Sequence, residues 1–307
     1  MKFKNSTFAM MVAGFFIYIF ASGCTSGKAA LHNTSTEKSL LWEINIPGVK
    51  EPSYIFGTIH IIGAEDFFLP NGTMTAFEKS NKIFFEIDMA QMSDMSSMMG
   101  LMNKLYMSDG QTLKSLLSEK DYKDVANFFQ KKGLPVIFFE RMKPMFLTVL
   151  TYGDLNPGDL GNGEMKSYEF EFMEMANQTK KPTGGLESIE FQIGIFDKIP
   201  YEKQAQMLVD AINTNTGSGT ELEEMVKVYL DQDIQKLASM IESPDSEISG
   251  YEDILLTERN NNWIPIIIEE TKKQPSFFAV GAGHLGGKDG VISLLKKQGV
   301  KVKAILK

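Results

Sequence analysis

The sequence predicts an α/β fold: a single domain with a central mixed β-sheet completed by both ends of the chain, and a large helical middle section. Three observations predict it. Short apolar runs bounded by glycine and proline gather near residues 40–88 and again near 276–306. Between them, from about 91 to 272, apolar residues recur mostly at helical spacing. The last segment reads strand, turn, helix, strand, the order of a βαβ unit.

Taken in order, residues 1–23 stand apart from the fold. Lys2 and Lys4 form a basic start, and Phe8 to Phe20 is an apolar run too short and wrongly flanked to span a bilayer. Ala21-Ser22-Gly23 then precede Cys24, the one cysteine of the chain. Small residues before a lone cysteine suggest a bacterial lipoprotein signal with Cys24 as the lipidated first residue. Ala21, where leucine is commoner, makes the lipobox imperfect, and an ordinary cleaved signal or an uncleaved anchor stays open. All three readings put the folded part outside the cytoplasm, lipid-anchored in a bacterial cell envelope on the first. A single cysteine also excludes a disulfide within the chain. Residues 24–38 are small and polar and read as a flexible tether carrying a solvated His32. Residues 39–307 then form the domain.

Leu40–Ile46 and Ser53–His60 read as two strands around a Pro47-Gly48 turn. A short helix follows near Gly72–Ser80. Lys82–Asp88 reads as a buried strand with two acids at its end. Residues 91–150 are helical, with breaks at Ser108–Gly110 and Gly133–Pro135. Leu155–Gly163 is a loop, and helix resumes at about Met165–Thr179. Lys181–Glu187 is a short strand or turn ending in an acid. Residues 188–272 are again mostly helical. A strand at 276–281, a turn holding His284, a helix at about 288–298 and a strand at 300–306 complete the chain. Strands at the two ends with helices between them suggest one sheet and a helical insertion or cap over the site.

The formal charge is −8, and about −10 once Lys2 and Lys4 leave with the signal segment. That balance argues against a nucleic-acid partner. Nineteen methionines are many, and Met89, Met92, Met95, Met98, Met99 and Met102 cluster on one predicted helix. A soft-metal site and an ordinary packed helix face are both compatible with that spacing, and packing is the simpler reading.

Two of the three histidines share one frame. Gly57-Thr58-Ile59-His60 follows the run Ser53–Phe56, and Gly281-Ala282-Gly283-His284 follows Phe277–Val280. At ordinary glycine usage, glycine at minus three of two histidines in three arises by chance about 1–2% of the time. A strand ending in a glycine turn delivers its next side chain to the carboxyl edge of a sheet, where α/β proteins build their sites. Imidazole is the commonest metal ligand and titrates near neutrality. Glu86 follows Phe84-Phe85 on a strand and needs a charged or metal partner if buried. Strand alternation puts Asp88 on the same face, so either acid could serve. Glu187 also ends an apolar-to-glycine run. Beside two histidines such acids could be metal ligands, a general base for water, or orienting groups. Arg259 is one of only two arginines, with Arg141, among 31 basic residues. Its planar fork suits carboxylates or a developing oxyanion. Gln192 could line the same pocket. No GxSxG elbow occurs and no free cysteine remains once Cys24 is lipidated, so serine and cysteine triads are weak readings, and HExxH and P-loop patterns are absent too.

Together these marks resemble the TraB/GumN family, which includes the TIKI metalloproteases. The carriers are Trp42 with Ser53–His60, then Phe84-Phe85-Glu86, then Gly185–Gln192, then Glu258-Arg259-Asn260, and finally Val280–Gly290. The resemblance covers about residues 40–307 and is weakest between 91 and 180, where an acid such as Glu164 stays open. It implies a fold akin to erythromycin esterases and the haem-binding ChaN lipoproteins. It also implies a divalent metal (Mn, Co or Zn) held by His60, His284 and Glu86. Glu86 would then be ligand or general base, Arg259 an electrostatic stabiliser and Glu187 a supporting residue. The reading that follows is an extracytoplasmic, lipid-anchored, metal-dependent hydrolase, a peptidase first. An esterase-like hydrolase, or a lipoprotein that captures a peptide or haem without turnover, is the alternative. Its partners are a peptide or small-molecule substrate and, through Cys24, the lipid bilayer on the periplasmic side or in the outer membrane.

Overall fold

The computed structural model describes residues 37–88, 101–151, 163–215, 220–243 and 250–306. The signal segment, Cys24, His32, the methionines from Met89 to Met99 and the 155–162 part of the expected loop lie outside the described residues. The segment that reads as one domain falls into two compact units that alternate along the chain. Among the described residues, the helical unit draws on 101–151, 163–164, 189–215 and 220–223, and the sheet unit on 37–88, 165–188, 224–243 and 250–306.

In the helical unit, Ser118 caps the helix Glu119–Lys131 by accepting from the Asp121 N–H, and Glu119 and Asp121 sit in its first turn, where the helix dipole favours acids. Its apolar stripe, Val125 and Phe129, packs with Leu113, Leu147, Leu208, Val209 and Ile212 into a core of its own. Gln192 is fully buried in the helix Ile189–Ile195 of this unit.

The sheet unit is mixed α/β, as expected. Its strands are β1 (Leu41–Asn45), β2 (Ser53–Thr58), β3 (Ile62–Gly63), β4 (Lys82–Ile87), β5 (Met165–Lys166), β6 (Thr183–Glu187), β7 (Ser276–Gly281) and β8 (Lys301–Ala304). Six of them form one sheet in the order β6-β4-β7-β2-β1-β8. β2, β7, β4 and β6 are neighbours and all parallel. β1 is antiparallel to both β2 and β8, so the expected hairpin forms and β8 points the same way as the parallel set. Gly48 takes φ 86° in the connecting turn, a conformation glycine adopts at no steric cost. Both termini complete the sheet: β7 sits between β2 and β4, and β8 covers β1. The two-residue strands β3 and β5 pair separately. The sequence reads as helix from about Met165. Instead Met165 and Lys166 pair as β5, and the helix Tyr168–Thr179 starts after Ser167.

The apolar runs are continuous rather than alternating because the parallel strands are buried on both faces. Every residue of β2 is buried. Phe277 meets Phe56, Phe77 and Phe172 on one face, with ring centres 5.0–6.2 Å apart. Its neighbour Phe278 stacks on Phe84 at 5.1 Å on the other.

Gly57 shows what the first glycine of the shared frame does. A Cβ there would meet Leu285 Cδ1 at 2.8 Å and the Cα and Cβ of Ala282 at 3.0 Å. The end of β2 and the turn after β7 touch through this missing side chain. Gly57→Ala is therefore expected to lower the unfolding free energy by about 1–3 kcal/mol, the usual cost of overpacking. A urea midpoint unchanged from the wild type would contradict the close approach.

Candidate active site

The carboxyl ends of four adjacent parallel strands deliver the residues singled out in the sequence. β2 leads to His60, β7 to His284, β4 carries Glu86, and β6 ends in Glu187. This is the edge at which open α/β sheets build their sites. Arg259 comes from the first turn of the helix Glu258–Lys273, which packs on β6 and β7.

Arg259 is 1% exposed, and its five N–H groups all point at protein acceptors. Nε donates to Glu187 at 3.0 Å, and Nη2 donates to Glu187 Oε1 at 2.7 Å and to Glu86 Oε2 at 2.5 Å. Nη1 donates to the Leu255 carbonyl at 3.2 Å and meets His284 Nε2 at 3.1 Å. Leu255 lies in the π-helical turn Asp253–Thr257 just before the helix, a distortion often found at functional sites. Trp263, one turn on, donates from Nε1 to Glu187 Oε2 at 3.0 Å and sits under the guanidinium, 4.9 Å from ring centre to Cζ. Glu187 is thus a support for Arg259. Burial pushes its carboxyl up despite the guanidinium.

Glu86 is the acid that enters the cluster. Its Oε1 accepts the Gly281 N–H at 2.8 Å and its Oε2 faces Arg259. Burial opposes its ionisation, but Arg259, helped by His60 and the Gly281 N–H, prevails and holds the carboxyl down at about 2. Asp88 lies past the end of β4, where alternation no longer applies, and takes the Thr183 hydroxyl at 3.4 Å.

His284 is fixed at both nitrogens. Asn260 Nδ2 donates to the Asp289 carbonyl at 2.9 Å, which leaves Asn260 Oδ1 to accept from His284 Nδ1 at 2.7 Å. Nε2 then carries the lone pair that receives Arg259. Burial and the neighbouring guanidinium push this imidazole down to about 3, so it is neutral.

His60 differs. Its Nδ1 stands 2.9 Å from Glu169 Oε1, an ion-pair contact whose N–H line misses the oxygen. Burial lowers its basicity, yet Glu169 and Glu86 outweigh that and leave it raised. The end of β2 is held by Tyr229, whose hydroxyl donates to the Gly57 carbonyl at 3.0 Å. Glu169 lies between 91 and 180, where the sequence carries no family motif. Glu164, the acid left open there, is exposed. The available signal was Ser167, an N-cap residue two positions before an acid in a helix's first turn.

Gly281 has the opposite task to Gly57. A Cβ on it would lie 3.2 Å from Glu86 Oε1, 3.6 Å from His284 Cδ2 and 3.9 Å from His60 Nε2. Its missing side chain opens the space where these three groups converge. Two histidines and a carboxylate are suitable donors for Mn, Co or Zn. Their arrangement, however, is not a three-donor seat: Arg259 holds His284 Nε2, and among the described residues no group of three or more His, Cys, Asp or Glu is set to hold a metal ion.

A model of the TraB/PrgY/gumN family matches residues 40–304. The chain is 24% identical to the metalloprotease TIKI1 of Xenopus tropicalis, in an alignment covering 86% of this chain and 61% of the relative. It is 24% identical to TIKI2 of the same species, over 90% of this chain and 62% of that protein. For human TIKI1 the identity is 23%, over 86% and 61%. The chain thus spans about three fifths of the length of these relatives. No solved structure matches it.

The shifted groups set a pH dependence. His284 is held at about 3 against an ordinary 6.5, so its contribution to stability is complete above pH 6.5 and lost as pH falls toward 3. Glu86, lowered from 4.5 to about 2, loses its contribution below pH 4.5. Denaturation midpoints are expected to fall from pH 6.5 downward and more steeply below 4.5, with His284→Gln flattening the upper part of that slope. Because His60, raised in the fold, adds stability on acidification and opposes this trend, the deciding quantity is the difference between wild type and His284→Gln: a difference that does not change from pH 7 to 4 would rule out a neutral, buried His284.

Proposed function

From the premise that this chain belongs to the TraB/PrgY/gumN family, we propose that it is an extracytoplasmic hydrolase, a peptidase, anchored to the cell envelope through a lipid on Cys24. The observation that carries the reading is the convergence of His60, Glu86 and His284, with Arg259 behind them, at the carboxyl edge of four parallel strands. The metalloprotease names of its relatives supply the reaction class. The signal segment and Cys24 supply the location.

The chain's own residues divide the work as follows. His60, raised in basicity between two carboxylates, takes and returns the proton of a water placed over Gly281. Glu86, ionised and held by Arg259, orients that water and balances the imidazolium. His284 and Glu187 keep the guanidinium in place. With every N–H committed, Arg259 acts through its field rather than by binding an oxyanion directly. A divalent ion of the kind the relatives' names imply would supply water activation and carbonyl polarisation. Among the described residues, the arrangement gives it no third protein donor while Arg259 holds His284 Nε2.

Residues 25–307, purified without the anchor, are expected to cut members of a peptide library read by mass spectrometry. His60→Ala should lower kcat/KM by about 10²–10⁴, the usual worth of a positioned acid–base group. Glu86→Gln should be similarly impaired and Asp88→Asn close to wild type; the reverse order would mean that the wrong acid is assigned. A metal must displace Arg259 from His284 to gain a third protein donor. The expected result is therefore sub-stoichiometric Mn, Co or Zn after purification, with hydrolysis raised by added metal and abolished in His60→Ala/His284→Ala. No cleavage under any metal, together with a Soret band on adding haem, would replace the hydrolase by a binding protein.

A further inference from the structure

We propose that Glu169 is the positioning residue of His60, holding the imidazole with its proton on Nδ1 and its Nε2 lone pair toward the space over Gly281. The inference rests on the hydrolytic reading of the cluster and assigns a residue that neither the frame of the histidines nor the family resemblance points to.

Glu169 is buried, at 8% exposure, in the first turn of the helix Tyr168–Thr179. A carboxylate removed from water there needs partners. Its Oε1 accepts the Thr58 hydroxyl at 2.6 Å and stands 2.9 Å from His60 Nδ1, while its Oε2 accepts the Ser167 hydroxyl at 3.0 Å. Thr58 ends β2, His60 sits two residues on in the bend that follows, and the same carboxylate meets both. Ser167 occupies the N-cap position yet makes no capping bond, because its hydroxyl serves Glu169 instead. Two hydroxyl donors and the helix N-terminus all favour the ionised carboxylate. A negative oxygen against Nδ1 favours the proton on that nitrogen. Nε2 is then left bare, at 3.9 Å from where a Gly281 Cβ would lie, with Glu86 Oε1 at 3.2 Å from the same point. Carboxylates behind catalytic and metal-bound histidines act in this way, fixing tautomer and ring orientation.

The alternative is that Glu169 only ties the helix to the end of β2. A buried hydroxyl clamp would need no charge, and its loss would not touch the imidazole's tautomer. The two roles separate by ¹⁵N side-chain NMR on residues 25–307, whose three histidines are assignable by single His→Ala substitutions. Above the imidazole titration, wild-type His60 is expected in the Nδ1–H form. Glu169→Ala is expected to give a mixture of tautomers and a fall in kcat of about 10–100-fold at unchanged KM. Glu169→Gln preserves volume and an acceptor in case the alanine variant does not fold. It should keep the Nδ1–H form yet lose kcat, with Glu169→Asp recovering part of it. A His60 tautomer that ignores Glu169→Ala, or a Glu169→Gln enzyme with full kcat, overturns the inference. A wild type with no hydrolysis overturns the hydrolytic reading instead, and the tautomer measurement still decides what Glu169 does.

Discussion

The sheet unit depends on one buried cation. Taking a guanidinium out of water costs several kcal/mol unless its charge and every N–H are answered. Arg259 meets that demand with Glu86 from β4, Glu187 from β6, the Leu255 carbonyl of its own helix approach, and His284 from the turn after β7. One side chain thereby ties two strands, a turn and a helix together. Removing it would leave two buried carboxylates facing each other, a far larger loss than the contacts alone suggest. The same cation writes the electrostatics around it. It keeps Glu86 ionised and His284 neutral, and so decides which groups near Gly281 can carry a proton.

Two histidines in one sequence frame end in different states because their surroundings differ. His284 is the end of a relay running from the Asp289 carbonyl through Asn260 to the imidazole and on to Arg259. Each member of it has its donor and acceptor roles fixed by the one before. His60 has carboxylates on two sides and no guanidinium against its nitrogens, so it alone of the pair holds a raised basicity. The shared glycine is divided in the same way. In the first frame it lets two backbones touch, and in the second it keeps a space open.

Much of this was legible in the sequence, for particular reasons. The runs Ser53–Phe56, Lys82–Ile87 and Phe277–Val280 are apolar without alternation, which is how strands buried on both faces must read. Gly57 and Gly281 marked strand ends, and Arg259 stood out because arginine is rare in a lysine-rich chain. What was not legible is pairing across distance. Thr58 and Glu169 are 111 residues apart, and no spacing rule connects them. The strand order, with β7 between β2 and β4, is equally invisible, since nothing local says which strands are neighbours. Alternation puts Glu86 and Asp88 on one face and does not separate them, because β4 ends at Ile87. The expectation of His284 as a metal ligand comes from its frame at a strand end and from the family resemblance. What a histidine can do also depends on what already holds its nitrogens, and that is tertiary information.

The position of β7 has a consequence for how the site comes into being. β7 is the fifth of the large sheet's six strands in chain order, yet it occupies the interior, paired on one side with β2 and on the other with β4. Until residues 276–281 dock, two apolar strands present unpaired edges, the arrangement most exposed to wrong partners. Docking also brings the Gly281 N–H to Glu86 and the His284 nitrogen to Arg259. The same step that closes the sheet therefore neutralises the buried charges at its carboxyl edge. Without that step Glu86 and Arg259 would lack part of their compensation, and the sheet would lack its centre. Charge satisfaction and strand pairing are thus coupled, so the polar cluster and the hydrophobic core support each other.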